Sequence, residues 1–258
     1  MNAYLLTGDD RYLEVWRKQT DAINAQKKIV DGIAMYPRMY GDQGWYSFVP
    51  EPYRFNALEL YYLSMRQSDR RRVPDTPWLA YLEGNNPAYP ETALRADLAE
   101  IRDQMTAMRL DSTTPDTRLS DDSMKYNPAR VESLVQLMLG GIHIRRRASV
   151  LHCRLRYFDP VLRRAGLPDD VAALVDHLSG QEVSVTLVNT NQLRARELIV
   201  QAGGYAEHQF VQLAVGGEVY PVTSSQVTVR LAAGAGAKLR IKMRRYVNQP
   251  TMHFPWNR

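Results

Sequence analysis

The feature that most constrains this chain is a change of hydrophobic period at Ser179-Gly180. Before it, apolar residues recur at spacings of three and four, the period of an amphipathic helix. After it they alternate, the period of a strand with one buried face. In EVSVTLVN, Val183, Val185 and Leu187 alternate with Ser184 and Thr186. In AKLRIKMRRY, Leu239, Ile241 and Met243 face one way, and Lys238, Arg240, Lys242 and Arg244 face the other. Further short strands are expected at 195–200, 206–214, 217–222 and 226–232, set apart by Gly-rich or Asn-rich turns. Helices first and strands last predict an α+β chain with segregated halves, a helical domain over 1–179 and an antiparallel all-β domain over 180–258.

Upstream, Leu13, Trp16, Thr20 and Ile23 mark a helix between Asp9 and Lys28, with Thr7 and Asp10 placed to form its capping box. Asn56 to Met65 reads as a strongly apolar helix, and Pro77 opens a short one carrying Trp78, Leu79 and Leu82. Pro90 opens a long helix whose charged face is read as solvated, and Ala129 to Leu139 forms another, closed by Gly140-Gly141. Helical patterns are also expected at 148–157 and 168–178, while 111–127 shows no period and reads as a loop. The segment before Thr7-Gly8 is too short to bury a face alone. Three outcomes follow for it: it frays, it docks on the next helix, or a second copy of the chain covers it.

With 258 residues, 45% apolar, the chain is long enough for one large core or two ordinary ones. Its single cysteine, Cys153, excludes an internal disulfide, and five scattered histidines offer no ligand spacing, so neither a metal nor a cofactor is expected. No stretch reaches the length of a membrane span, and no leader with a basic region, apolar core and cleavage site is visible. The net charge of +5 favours anionic partners, and no acidic side chain follows Glu218. Charge alone does not argue for nucleic acid, and dinucleotide, P-loop, serine-hydrolase and zinc-protease signatures are absent.

Chemistry is expected in three places. The segment MYPRMYGDQGWYSF, residues 35–48, reads as a loop that offers Tyr36, Tyr40, Trp45 and Tyr46 as flat faces, with Asp42 and Gln43 on a glycine-flanked turn. Sugars need both, aromatics for their C–H faces and polar side chains for their hydroxyls. The competing reading makes the aromatics plugs between helices and Asp42 a turn cap. The polar loop offers Asp116, Asp121 and Asp122, any of which would pair with Asp42 as acid and base in glycoside hydrolysis, or serve as ordinary caps. The third cluster supplies His143, Arg145 and Arg147. Together with Tyr126 and Asn127 these are the groups that β-elimination of a uronic-acid polymer needs, and the alternative is a basic face paired with nearby carboxylates. His152 and Cys153 do not make a dyad, and Cys153 reads as a buried filler.

The TGDDRYLE junction, the YGDQGWY stretch and a terminal all-β unit together resemble the downstream part of bacterial α/α-toroid carbohydrate-active proteins. These include glycoside hydrolases and polysaccharide lyases. The resemblance implies a partial toroid followed by a β-sandwich, further helices upstream, and a periplasmic or secreted location if an upstream segment exists. It also implies a poly- or oligosaccharide partner, with an anionic sugar favoured by the basic clusters; from the charge and the lack of a long apolar stretch, no nucleic-acid or membrane partner is expected. The exposed face of the first short helix is expected to promote homo-oligomerisation.

Overall fold

The computed structural model describes residues 2–114, 117, 127–142 and 150–257. The chain is mixed α+β, with helices mostly in its N-terminal half and antiparallel sheets in its C-terminal half. The first short segment is a helix, α1 (Asn2–Thr7), and it docks. Leu5 is buried, and Tyr4 packs on a small cluster of Leu13, Leu60 and Leu63 and meets the Tyr246 ring at 4.7 Å. Gly8, at φ +65°, turns the chain into α2 (Arg11–Ala25). The expected Thr7 and Asp10 box does not form. Thr7 is still inside α1, with its hydroxyl donated back to Ala3 O at 2.7 Å, and it is the Asp9 carboxylate that accepts the Arg11 N–H at 3.0 Å.

Where the aromatic stretch was expected to be a loop among helices, the chain forms a three-stranded antiparallel sheet: β1 (Lys28–Val30), β2 (Ile33–Gly41) and β3 (Gly44–Val49). Val30 pairs with Ile33 across Asp31-Gly32, and both turn residues have positive φ, the two-residue hairpin geometry that Asp-Gly favours. The remaining N-terminal helices follow: α3 (Ala57–Ser64), α4 (Gln67–Arg70), α5 (Pro77–Leu82), α6 (Tyr89–Leu110) and α7 (Glu132–Leu139). Thr76 caps α5 by accepting the Leu79 N–H at 3.2 Å, and Gly140, at φ +56°, closes α7, as the sequence implied. The long helix α6 buries none of its residues, in keeping with a solvated face.

Two stretches read as helical are strands. Residues 148–157 contain β5 (His152–Cys153), which pairs with β4 (Gly141–Ile142), and lead into β6 (Leu155–Asp159). Residues 168–178 contain β8 (Val171–Leu178). In β8 the register shifts between Val175 and His177, and this bulge puts Val175 and Leu178 on one face although they are three apart. That spacing is what imitated a helix.

The remaining strands are β7 (Arg164–Ala165), β9 (Glu182–Asn189), β10 (Arg196–Ala202), β11 (Gln209–Val215), β12 (Glu218–Ser224), β13 (Gln226–Leu231) and β14 (Gly236–Arg244). They form a five-stranded sheet in the order β12-β11-β14-β9-β8 and a four-stranded sheet in the order β13-β10-β6-β7. Leu239 lies opposite Val185 and Ile241 opposite Val183, so the alternation in both sequences turns to the same face. Both sheets feed one core, which also takes Ala57, Tyr62, Trp78, Leu79 and Leu137 from the helices. Each large apolar side chain so buried stabilises the fold by roughly 1.5–3 kcal/mol. Outside this core, Phe254 and Trp256 stack on each other and meet the edge of Phe158 in β6, each at 6.0 Å.

Two polar clamps tie distant segments together. The Arg17 guanidinium of α2 donates from Nε (3.0 Å) and Nη2 (2.7 Å) to the buried Asp69 carboxylate of α4, which also accepts from Ser64. Burial opposes ionisation of Asp69, but the bonds from Arg17 and Ser64 outweigh it and hold the carboxyl below its ordinary range. At the other clamp, the Arg245 side chain donates to Gly180 O (2.7 Å), Leu63 O (2.8 Å) and Ser64 O (3.3 Å), and so fastens the end of β14 to the end of α3.

Candidate functional site

The β2-β3 hairpin gathers the aromatic residues singled out from the sequence, but it divides them. Tyr40 lies opposite Trp45 and Tyr36 opposite Val49, so Tyr36, Tyr40 and Trp45 share one face. Met39 and Tyr46 pair on the other face. The Tyr40 and Trp45 rings meet edge to face at 5.0 Å, and Tyr40 remains 69% exposed. Asp42 and Gln43 form the exposed turn at the tip, and Asp42 makes no hydrogen bond or ion pair with any described residue. These aromatics are therefore not plugs between helices.

At its base the hairpin is fastened to the segment that leads into α3. From the Tyr36 and Tyr40 face, Arg38 donates from Nη2 to Glu51 O at 2.7 Å. The Asn24 side chain of α2 clasps Tyr53 at two points, accepting its N–H at 2.7 Å and donating to its carbonyl at 3.1 Å. Between α2 and this segment lies a pocket of about 190 Å³, with Trp16 and Tyr53 among its walls and Arg54, Arg71 and Arg72 around it. Arg72 is committed to a paired bond with Asp21, Nη2 to Oδ2 at 2.9 Å, and these bonds hold the Asp21 carboxyl below its usual range. Arg54 and Arg71 are exposed, and their guanidinium groups make no hydrogen bond or ion pair with described residues. Two free guanidinium groups beside aromatic walls can receive a carboxylate or sulfate in the bidentate geometry that arginine favours. These arginines were missed in the sequence, although the run DRRRVP, residues 69–74, was a visible basic signal.

Asn127 accepts the Ala129 N–H at 2.9 Å, the Asx-turn that was its alternative reading. Asp116, Asp121, Asp122, Tyr126, His143, Arg145 and Arg147 lie outside the described residues. His152 and Cys153 are buried. Burial, reinforced by the Arg154 charge, pushes His152 down to about 4, and burial raises the Cys153 thiol far above its usual range, so neither is poised to react.

Arg154 itself is fully buried. It donates to Tyr62 O at 3.1 Å and lies 4.7 Å from the centre of the Tyr62 ring. Nearby, Glu207 accepts the Tyr205 N–H at 2.8 Å. Burial pushes its carboxyl up to about 7, against backbone hydrogen bonds and the Arg154 charge, which act to lower it. Burial also holds His208 neutral while its Nδ1 accepts the Tyr246 N–H at 3.1 Å. This group is closed to solvent and serves to join strands.

Among the described residues no three His, Cys, Asp or Glu side chains are grouped to hold a metal ion, and no helix is long and apolar enough to cross a membrane. Residues 73–135 match the profile of a domain of unknown function, DUF8034, a segment running through α5 and α6 into α7. No curated protein and no solved structure matches the chain.

Proposed function

We propose that this chain binds a poly- or oligosaccharide bearing carboxylate or sulfate groups, with the β2-β3 hairpin and the arginine pocket at its base as the contact surface. The observation that supports this reading is the pocket at the base of the hairpin, where the Arg54 and Arg71 guanidinium groups have no partner among the described residues, together with the Tyr40 ring left exposed on the same hairpin. The ring faces suit the C–H faces of sugar rings, and the arginines suit their acidic substituents. The resemblance to the downstream part of α/α-toroid carbohydrate-active proteins supports the same class of partner, with the C-terminal sheets in the place of their β-sandwich.

Titration calorimetry with oligogalacturonate and a sulfated oligosaccharide tests this. Tyr40→Ala and a double Arg54→Ala, Arg71→Ala variant are each expected to weaken binding about tenfold, roughly 1.4 kcal/mol. Wild-type affinity in both variants would remove the site from the hairpin. Cleavage is a second reading, favoured by the position of Asp42 at the tip beside the aromatic pair. New reducing ends that vanish in Asp42→Ala would support hydrolysis, whereas an absorbing unsaturated uronate would mark a lyase.

A further inference from the structure

A second cleft, of about 450 Å³, opens between the turn joining α5 to α6 and the polar face of the five-stranded sheet. Tyr81 forms its helical wall. The ring is held in place by stacking on buried Trp78 at 5.8 Å and by Tyr89 at 6.0 Å. The sheet wall comes from β8, β9 and β14, and the pairing of Ser184 with both Arg240 and His177 fixes its layout.

The charges on this wall cancel. Lys238 Nζ meets Asp176 Oδ2 at 2.6 Å, and Arg240 binds Glu182 Oε1 through Nε (3.3 Å) and Nη2 (3.0 Å). Two carboxylates facing two cations leave no net charge to attract a metal ion or a phosphate. What remains is unused hydrogen-bonding capacity. Ser184 is 3% exposed and its Oγ has no partner among the described residues, and Asp176 Oδ1 is likewise enclosed and without a partner among them. Buried polar atoms are seldom left without a partner, and here both belong to residues lining an open cleft. Burial raises the Tyr81 hydroxyl above its usual range, and the Asp176 charge across the same cleft adds to it.

We propose that this cleft binds a neutral polyhydroxylated ligand, a sugar unit of an uncharged oligosaccharide. A sugar hydroxyl is both donor and acceptor. One hydroxyl can donate to Asp176 Oδ1 while accepting from Lys238, and its neighbour can exchange hydrogen bonds with Ser184 Oγ and the Arg240 and Glu182 pair. The Tyr81 ring offers the flat face that the C–H side of such a ring requires. The site does not depend on the hairpin, because it lies on different elements and selects a ligand of different charge.

The test is titration calorimetry of the full chain with maltotetraose, cellotetraose and mannotetraose, and with trigalacturonate as the charged contrast. At least one neutral tetrasaccharide is expected to bind at millimolar concentration or tighter. Its affinity should fall at least tenfold in Ser184→Ala and in Asp176→Asn, and stay unchanged in Tyr40→Ala. Both wall substitutions are nearly isosteric, and thermal unfolding of each variant confirms that the fold is kept. Three results would overturn the proposal: no neutral sugar bound by the wild type, binding that survives both wall substitutions, or preference of this wall for trigalacturonate.

Discussion

The five-stranded and the three-stranded antiparallel sheets use their faces in opposite ways. In the five-stranded sheet, Val183, Val185 and Leu187 are 0% exposed, while the alternate positions of the neighbouring β14 carry Lys238, Arg240 and Lys242. In the three-stranded sheet, Ile29 and Tyr40 on one face, and Val30, Ile33, Met39 and Tyr46 on the other, are all left in solvent. Burial of one face holds the first sheet in register, since a slip by one residue would expose its whole apolar set. The second sheet has little such protection and is held by its turns and by the Arg38 and Asn24 clasps at its base. This exposed apolar surface is what the proposed contact with a sugar would use.

The largest expected effect is on stability. Leu187→Ala in the five-stranded sheet should cost roughly 2–5 kcal/mol in chemical denaturation, whereas Ile33→Ala in the small sheet should cost less than about 0.5 kcal/mol. Equal losses would mean that the two sheets are stabilised alike, and the comparison would fail.

Next comes pH. The carboxyl of Glu207 titrates at about 7 in the fold, above its ordinary value of 4.5. A raised pKa means that the folded state holds the proton more tightly than the unfolded state. The contribution of Glu207 is therefore fully present below the ordinary carboxylate range and is lost as pH rises to about 7. The loss should be on the order of 3 kcal/mol. Denaturation at either end of this window should show it in the wild type and not in Glu207→Gln, and a parallel fall in both would assign it to another group. The Arg17 and Asp69 clamp acts in the other direction. Its carboxyl is depressed, so its contribution is present above the ordinary carboxylate range and is lost as pH falls through the folded value.

A smaller effect is expected at the hairpin, where Tyr40→Ala should change oligosaccharide affinity and leave the unfolding midpoint in place. Loss of both would make the ring structural. The smallest is at Cys153, which should resist a thiol reagent until the protein unfolds. Rapid labelling of the native chain would show that β5 opens readily.

How far the sequence could be read follows the same contrast. In β9 and β14 one face is buried, so burial wrote an alternating pattern, and both strands lie where that pattern placed them. In β2 and β3 both faces are wet, no alternation was required, and the stretch looked like a loop, although Asp31-Gly32 carried the hairpin signal. In β8 the bulge shifted the pattern to helical spacing. The aromatic residues of the site were legible because their chemistry is local. The arginine pocket was not, since Trp16, Tyr53 and Arg71 meet only where α2, the segment before α3 and the turn after α4 come together.

The contact of Tyr4 with Tyr246, and the bonds from Arg245 to Leu63 and Ser64, also set an order of events in folding. The small cluster around α1 cannot close until the end of β14 has been synthesised and has returned across nearly the whole chain. Contacts of such sequence separation form slowly, because a long loop must close before they yield any stabilisation. During synthesis α1 and α3 therefore wait, half-packed, for the last strand. Pulse-labelling hydrogen exchange during refolding should find the amides of α2 and β9 protected before those of α1, and simultaneous protection would refute this order.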